Sequence, residues 1–156
     1  MNDDVKQIIL DMKKKHNLAH ILLKNIKKNM PLLEELLQKS SDHWNYEDKV
    51  YRYYHKSFKV YYIQDLTLEI VNLLNKISPH KKSLNEDFND ILKEGIFQKW
   101  NPQHNREWNK RRPILEAFFH ARFFLEMAVK YGKELDKAPE VLPSGWAALL
   151  HLYNIR

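Results

Sequence analysis

Cysteine is missing from this chain of 156 residues, and glycine is scarce, with only three positions. The absence of thiols excludes disulfide bridges, thiolate metal ligands and cysteine nucleophiles. So few glycines leave little material for the tight turns that β-hairpins need. The composition therefore favours helices over sheets.

Long apolar runs and sorting signals are also missing. No segment approaches the ~18 apolar residues of a membrane span, because Glu116 interrupts the best candidate. The N-terminal residues include Asp3 and Asp4 and soon reach Lys13–Lys15, which is unlike a signal peptide. We therefore expect no membrane partner and a cytoplasmic location.

Familiar catalytic motifs are missing as well. The chain has no glycine-rich phosphate loop, no Gly-x-Ser-x-Gly, no His-Glu-x-x-His and no EF-hand loop. The sequence thus gives no support for nucleotide-dependent catalysis, serine hydrolysis or zincin-type proteolysis, and it identifies no small-molecule substrate. Whether the protein is an enzyme stays open at this stage.

A helical pattern runs along the whole chain. Apolar residues make up 44% of it, which is enough for one folded core. We predict a single all-α domain over residues 1–156, an antiparallel bundle of about four main helices with short extra ones. The predicted helices are 3–29, 31–40, one beginning at 41–45 and ending near 77, one from a capping box at Ser83 to Gly95, one from Asn105 to 132–135 that Pro113 kinks or restarts, and a C-terminal one at 145–153.

The first predicted helix carries a repeating apolar seam. Its members recur at alternating intervals of three and four residues, which is typical of a helix face buried in a core. They are Ile9, Met12, His16, Ala19, Leu23, Ile26 and Met30. We therefore predict that this whole face is buried, with His16 among the core residues.

Three helices each carry a polar pair at a spacing of four residues, which places both side chains on one face. The pairs are Glu116 with His120, His16 with His20, and His43 with Glu47. The first pair belongs to a strongly apolar stretch, so we expect Glu116 and His120 to lie in the core, next to Phe119, Phe123 and Met127.

Imidazole and carboxylate groups together suit zinc, iron, manganese or nickel, and helical bundles often hold such ions between facing helices. The sequence therefore predicts a core site for one transition-metal ion. Its candidate ligands are Glu116, His120, Glu47, His43, His16 and His20. Glu116 or Glu47 could instead act as a catalytic general base.

Three alternatives remain open. The polar pairs could form an inert network that fixes how the helices pack. The net charge of +6, with Trp108, Lys110, Arg111 and Arg112 close together, is compatible with an anion or nucleic-acid contact. The C-terminal helix could make the protein a homodimer, although we expect its apolar stripe to pack on its own chain.

Overall fold

The structure of the protein is a computed structural model that describes residues 3–41, 59–80, 84–96, 108–137 and 146–155. These residues form six α-helices. They are α1 (Asp3–Lys28), α2 (Met30–Ser41), α3 (Lys59–Lys76), α4 (Glu86–Ile96), α5 (Trp108–Lys137) and α6 (Trp146–Leu152). No strand occurs in the described ranges, so the all-α prediction is confirmed there.

Helix α5 is the centre of the fold, because each of the other five helices packs against it. Its 30 residues include Pro113, which cannot donate a backbone hydrogen bond within the helix. The core that surrounds α5 is aliphatic and aromatic. Its fully buried members include Leu22, Ile26, Ile63, Ile70, Leu74, Ile114, Phe118, Leu125 and Leu149.

Helices α1 and α2 are joined by a bend at Asn29. The Asn29 N–H donates to the Asn25 carbonyl at 3.1 Å, and the Asn29 carbonyl accepts from the Leu33 N–H at 2.9 Å. Pro31 follows in the first turn of α2, where its missing N–H costs nothing. Backbone hydrogen bonds are therefore made on both sides of Asn29, and both helices reach α5.

The cap of α4 differs from the predicted one. The helix begins at Glu86, three residues after the predicted start at Ser83. Its cap is Asn85, whose side-chain oxygen accepts from the Asp87 N–H at 2.9 Å and from the Phe88 N–H at 3.4 Å. Asparagine is among the best N-cap residues. The predicted helix start at Ser83 is therefore too early, and Ser83 itself lies outside the described residues.

Two glycines allow close contacts between helices. A Cβ at Gly95 would collide with the Ala117 side chain and lie 2.5 Å from the Pro113 carbonyl oxygen. A Cβ at Gly132 would collide with the end of Met30 and lie 2.8 Å from Ile26 Cγ2. The helix ends at Ile96, one residue after the predicted end at Gly95, and Gly95 also allows the close approach of α4 to α5.

Helix α6 packs on its own chain, as the sequence suggested. Leu149, Leu152 and Tyr153 are buried, and the Tyr153 hydroxyl donates to the Leu74 carbonyl at 2.7 Å. The helix ends in a Schellman motif: Asn154 has a φ of 57°, and the Ile155 N–H donates to the Leu150 carbonyl at 2.9 Å.

In the part of the chain that the structure describes, none of the helices combines the length and the apolar character needed to cross a bilayer.

Candidate functional site

The predicted core pair of α5 lies on the wrong side of the helix to reach the core. His120 is exposed and Glu116 is half-buried, whereas Phe118, Ala121 and Leu125 are buried. At roughly 100° per residue, these buried residues lie about 100° or more around the helix from Glu116 and His120. The prediction that this pair points into the core is therefore wrong.

The histidines of α1 are exposed as well. His16 and His20 meet edge to face, with ring centroids 5.0 Å apart. All residues from Asp3 to Asn17 are exposed, so the predicted burial of His16 is also wrong. The seam becomes buried farther along α1, at Ile26.

The side chains of the remaining predicted site residues lie outside the described part of the chain. His43 and Glu47 lie outside the described residues. Trp108, Lys110, Arg111 and Arg112 belong to the first turns of α5, but their side chains are outside the described part. Among the described side chains, no group of three histidine, aspartate or glutamate residues could hold a metal ion.

Arg122 is a charged side chain that α5 does bury. It is 5% exposed, and its guanidinium donates to Glu126 Oε2 at 3.0 Å and to Ser41 Oγ at 3.0 Å. Burial lowers the pKa of Arg122, and the attraction of Glu126 opposes that shift. These contacts tie α5 to the last residue of α2, so Arg122 has a structural role.

A groove of about 680 Å³ lies between α3 and α4, with Asn72, Asn75, Asn89, Glu86 and Asp90 among its lining residues. None of the predicted metal-binding or general-base residues lines this groove. The groove therefore does not correspond to the predicted metal site or general-base site.

The N-terminal half of α1 has an unusually apolar surface. Several large apolar residues are exposed there, with exposed fractions of 57% at Ile8 and 66% at Met12. Val5, Ile8, Ile9 and Met12 fall within an arc of about 100° at 100° per residue, and we call these four residues the α1 stripe. The stripe lies in line with the seam residues that are half-buried or buried farther along the helix.

The stripe is more than scattered surface hydrophobicity. Single exposed apolar residues are normal on proteins, but several on one face of one helix form a continuous patch, and such patches mark interaction sites. Leu10 and Ile21 are also exposed but lie on the opposite side of α1. They provide matched positions that are apolar, exposed and outside the stripe.

The sequence identified the apolar face of α1 but not its exposure. The three-four spacing is the same whether the face meets the protein's own core or another molecule. No sequence signal separates the two cases here, since the seam runs unbroken from Ile9 to Met30.

Comparison of this chain with protein-family models, with curated proteins and with solved structures finds no match. Its function is therefore inferred from the described residues.

Proposed function

We propose that the protein is a helical protein-interaction module and that the α1 stripe binds a helix of a partner protein. One observation carries the proposal: every residue from Asp3 to Asn17 is exposed, yet Val5, Ile8, Ile9 and Met12 present one apolar face. An amphipathic face of this kind is what helix-in-groove and helix-on-helix recognition uses.

The expected affinity is modest. Covering these four side chains, whose exposed fractions run from 38% to 66%, contributes roughly 1 kcal/mol each, and the apolar face of the partner contributes a similar amount. This gain is offset by the loss of translational and rotational freedom on association. A total gain of roughly 8 kcal/mol corresponds to micromolar affinity, so after this offset a partner that touches the stripe alone binds more weakly than micromolar. Tighter binding requires contacts with the rest of the protein.

The exposed half of α1 is helical before any partner arrives. Isolated helices of this length are marginal in water, but this one continues from the anchored half of α1. Asp3 and Asp4 favour its N-terminus through the helix dipole, and the Gln7 side chain donates to Asp11 Oδ1 at 2.9 Å. A preformed recognition helix lowers the ordering cost of binding.

A protein partner is favoured over nucleic acid because the stripe itself is apolar. Nucleic-acid contacts depend on cations at phosphates and on aromatic side chains stacked on bases. Aliphatic residues such as Val5, Ile8 and Ile9 supply neither kind of contact.

The test is binding of a fluorescent amphipathic helical peptide, with leucine and isoleucine on one face and glutamine beside them, to the full chain. We expect saturable binding to the wild type and at least tenfold weaker binding to the variant Ile9→Ser/Met12→Ser. The matched control Leu10→Ser/Ile21→Ser removes two exposed apolar residues of the same helix and should bind like the wild type.

All these positions are exposed, so the variants should fold; circular dichroism and thermal unfolding verify this. Absence of saturable binding to the wild type would contradict the proposal. So would equal binding by the stripe variant and the wild type.

A further inference from the structure

The flank of α1 beside the stripe carries basic residues at seven-residue intervals. They are Lys6, Lys13, His20 and Lys27, and all four are exposed. At roughly 100° per residue they fall within an arc of about 60° next to the stripe. We call this row the basic ridge, and it accompanies the apolar seam along the whole of α1.

The other flank of the stripe has a different charge. Asp4 and Asp11, also seven residues apart, lie there together with Lys15, and all three are exposed. The two sides of the stripe are therefore unlike: basic residues alone occupy the ridge, while the second flank carries two carboxylates and one ammonium group. Because the two flanks differ in charge, a partner with one charged edge would bind the stripe in one preferred orientation.

Building on the proposed function, we propose that the partner of the α1 stripe is an amphipathic helix with a row of glutamate or aspartate along one edge. In paired helices, the residues beside the apolar seam face the flanks of the partner and select it by charge. Complementary charge also excludes partners with the wrong sign. An acidic edge laid along Lys6 and Lys13 satisfies both requirements.

A second copy of the chain fits this surface less well. In an antiparallel pair of copies, Lys6 and Lys13 would face the same lysines of the other copy, which is repulsive. In a parallel pair, positions on opposite sides of the seam meet, so Lys13 would face Ile8 and form no ion pair.

An anionic membrane surface also fits less well than an acidic helix. A helix that lies in a bilayer interface places both flanks among the headgroups. Asp4 and Asp11 would then face negatively charged lipids, which repel them. A helical partner on the stripe and the ridge need not contact that second flank, where Asp11 and Lys15 line a cavity of about 320 Å³ with His80 and Asn154.

The experiment uses the full chain and three fluorescent helical peptides with the same leucine and isoleucine face. The peptides carry glutamate, glutamine or lysine beside that face and are used at concentrations where they are monomeric. We expect the glutamate peptide to bind about tenfold more tightly than the glutamine peptide, and the lysine peptide to bind most weakly. Added salt should reduce these differences.

Charge reversal tests the ridge directly. The variant Lys6→Glu/Lys13→Glu should prefer the lysine peptide over the glutamate peptide. The control Lys76→Glu/Lys93→Glu changes the net charge equally, but at exposed positions on α3 and α4. It should keep the wild-type order of affinities.

The outcomes separate this inference from the proposed function. Equal binding of all three peptides, still lost in Ile9→Ser/Met12→Ser, would overturn the acidic partner and leave the interaction module intact. Absence of stripe-dependent binding of any peptide would overturn both. A dimer in light scattering that Ile9→Ser/Met12→Ser dissociates would make a second copy the occupant. Stripe-dependent binding to phosphatidylserine vesicles without binding of the glutamate peptide would show that the α1 stripe binds a membrane surface instead. Either result overturns the acidic helix.

Discussion

At the scale of single residues, Asn85 joins two parts of the protein. Its side-chain oxygen caps α4, which leaves its amide NH₂ to donate to His151 Nε2 at 3.0 Å. Since an amide NH₂ can only donate, Nε2 must accept, and the proton of the neutral His151 ring lies on Nδ1. The Asn85 N–H also donates to the Leu152 carbonyl at 2.8 Å, so this residue fixes the start of α4 to the end of α6.

We predict that Asn85→Ala lowers the free energy of unfolding by about 1–3 kcal/mol, because it removes the cap and the imidazole contact together. Asn85→Asp retains an oxygen for the cap and should lose less. Urea unfolding of the two variants measures the difference. Equal losses would show that the cap contributes little.

Two buried tyrosines make stability depend on pH in the alkaline range. Burial raises the pKa of Tyr131 to about 12, and burial raises the pKa of Tyr153 still further above its ordinary value. In the unfolded chain both ionise near pH ~10, so above that pH the unfolded state holds fewer protons than the folded state. The free energy of unfolding should therefore be fully retained below about pH 10 and fall above it.

The prediction is tested by urea unfolding of the wild type and of Tyr131→Phe and Tyr153→Phe between pH 8 and pH 11. Each variant should lose less stability over this interval than the wild type, since phenylalanine cannot ionise. Comparison across pH within one variant removes the separate cost of losing the hydrogen bond from Tyr153 to Leu74. Parallel pH curves for all three proteins would contradict the account.

At the scale of helices, the contact between α4 and α5 depends on Gly95. We predict that Gly95→Ala destabilises the protein by about 1–3 kcal/mol, because the new methyl group would meet the Pro113 backbone, which cannot move aside. Gly132→Ala should cost less, because the atom it meets first is the end of the flexible Met30 side chain. Thermal unfolding gives the order, and a larger loss for Gly132→Ala would contradict it.

The positions of α1, α2 and α6 could be read from the sequence with little error. Apolar spacing and Pro31 placed α1 and α2 to within one or two residues, and the apolar stripe of α6 correctly predicted that it packs on its own chain. The start of α4 was misplaced because two residues, Ser83 and Asn85, are both good caps and local sequence does not rank them.

The candidate site was harder to predict, for reasons of packing. α5 is apolar around much of its circumference, so periodicity did not identify its core face. Ala117 and Ala121 mark that face, because small residues allow neighbouring helices to approach. The sequence therefore placed Glu116 and His120, and not Arg122, in the core.

At the scale of the whole molecule, the described chain has an anchored part and an uncovered one. The other five helices pack against α5. The second half of α1 contributes Leu22 and Ile26 to the core. The first half of α1 continues the same apolar seam with Val5, Ile8, Ile9 and Met12 exposed. We infer that the protein combines a stable helical base with an exposed recognition helix.

The most direct test is amide hydrogen exchange along α1, measured on the full chain alone and with the glutamate-flanked peptide. In the free protein, amides of residues 7–17 should exchange far faster than those of 20–28, because the buried side chains of α1, Leu22 and Ile26, lie in the second half. The peptide should slow exchange over 7–17, with little change in the core. Strong protection of 7–17 in the free protein, or an unchanged pattern at saturating peptide, would contradict the account.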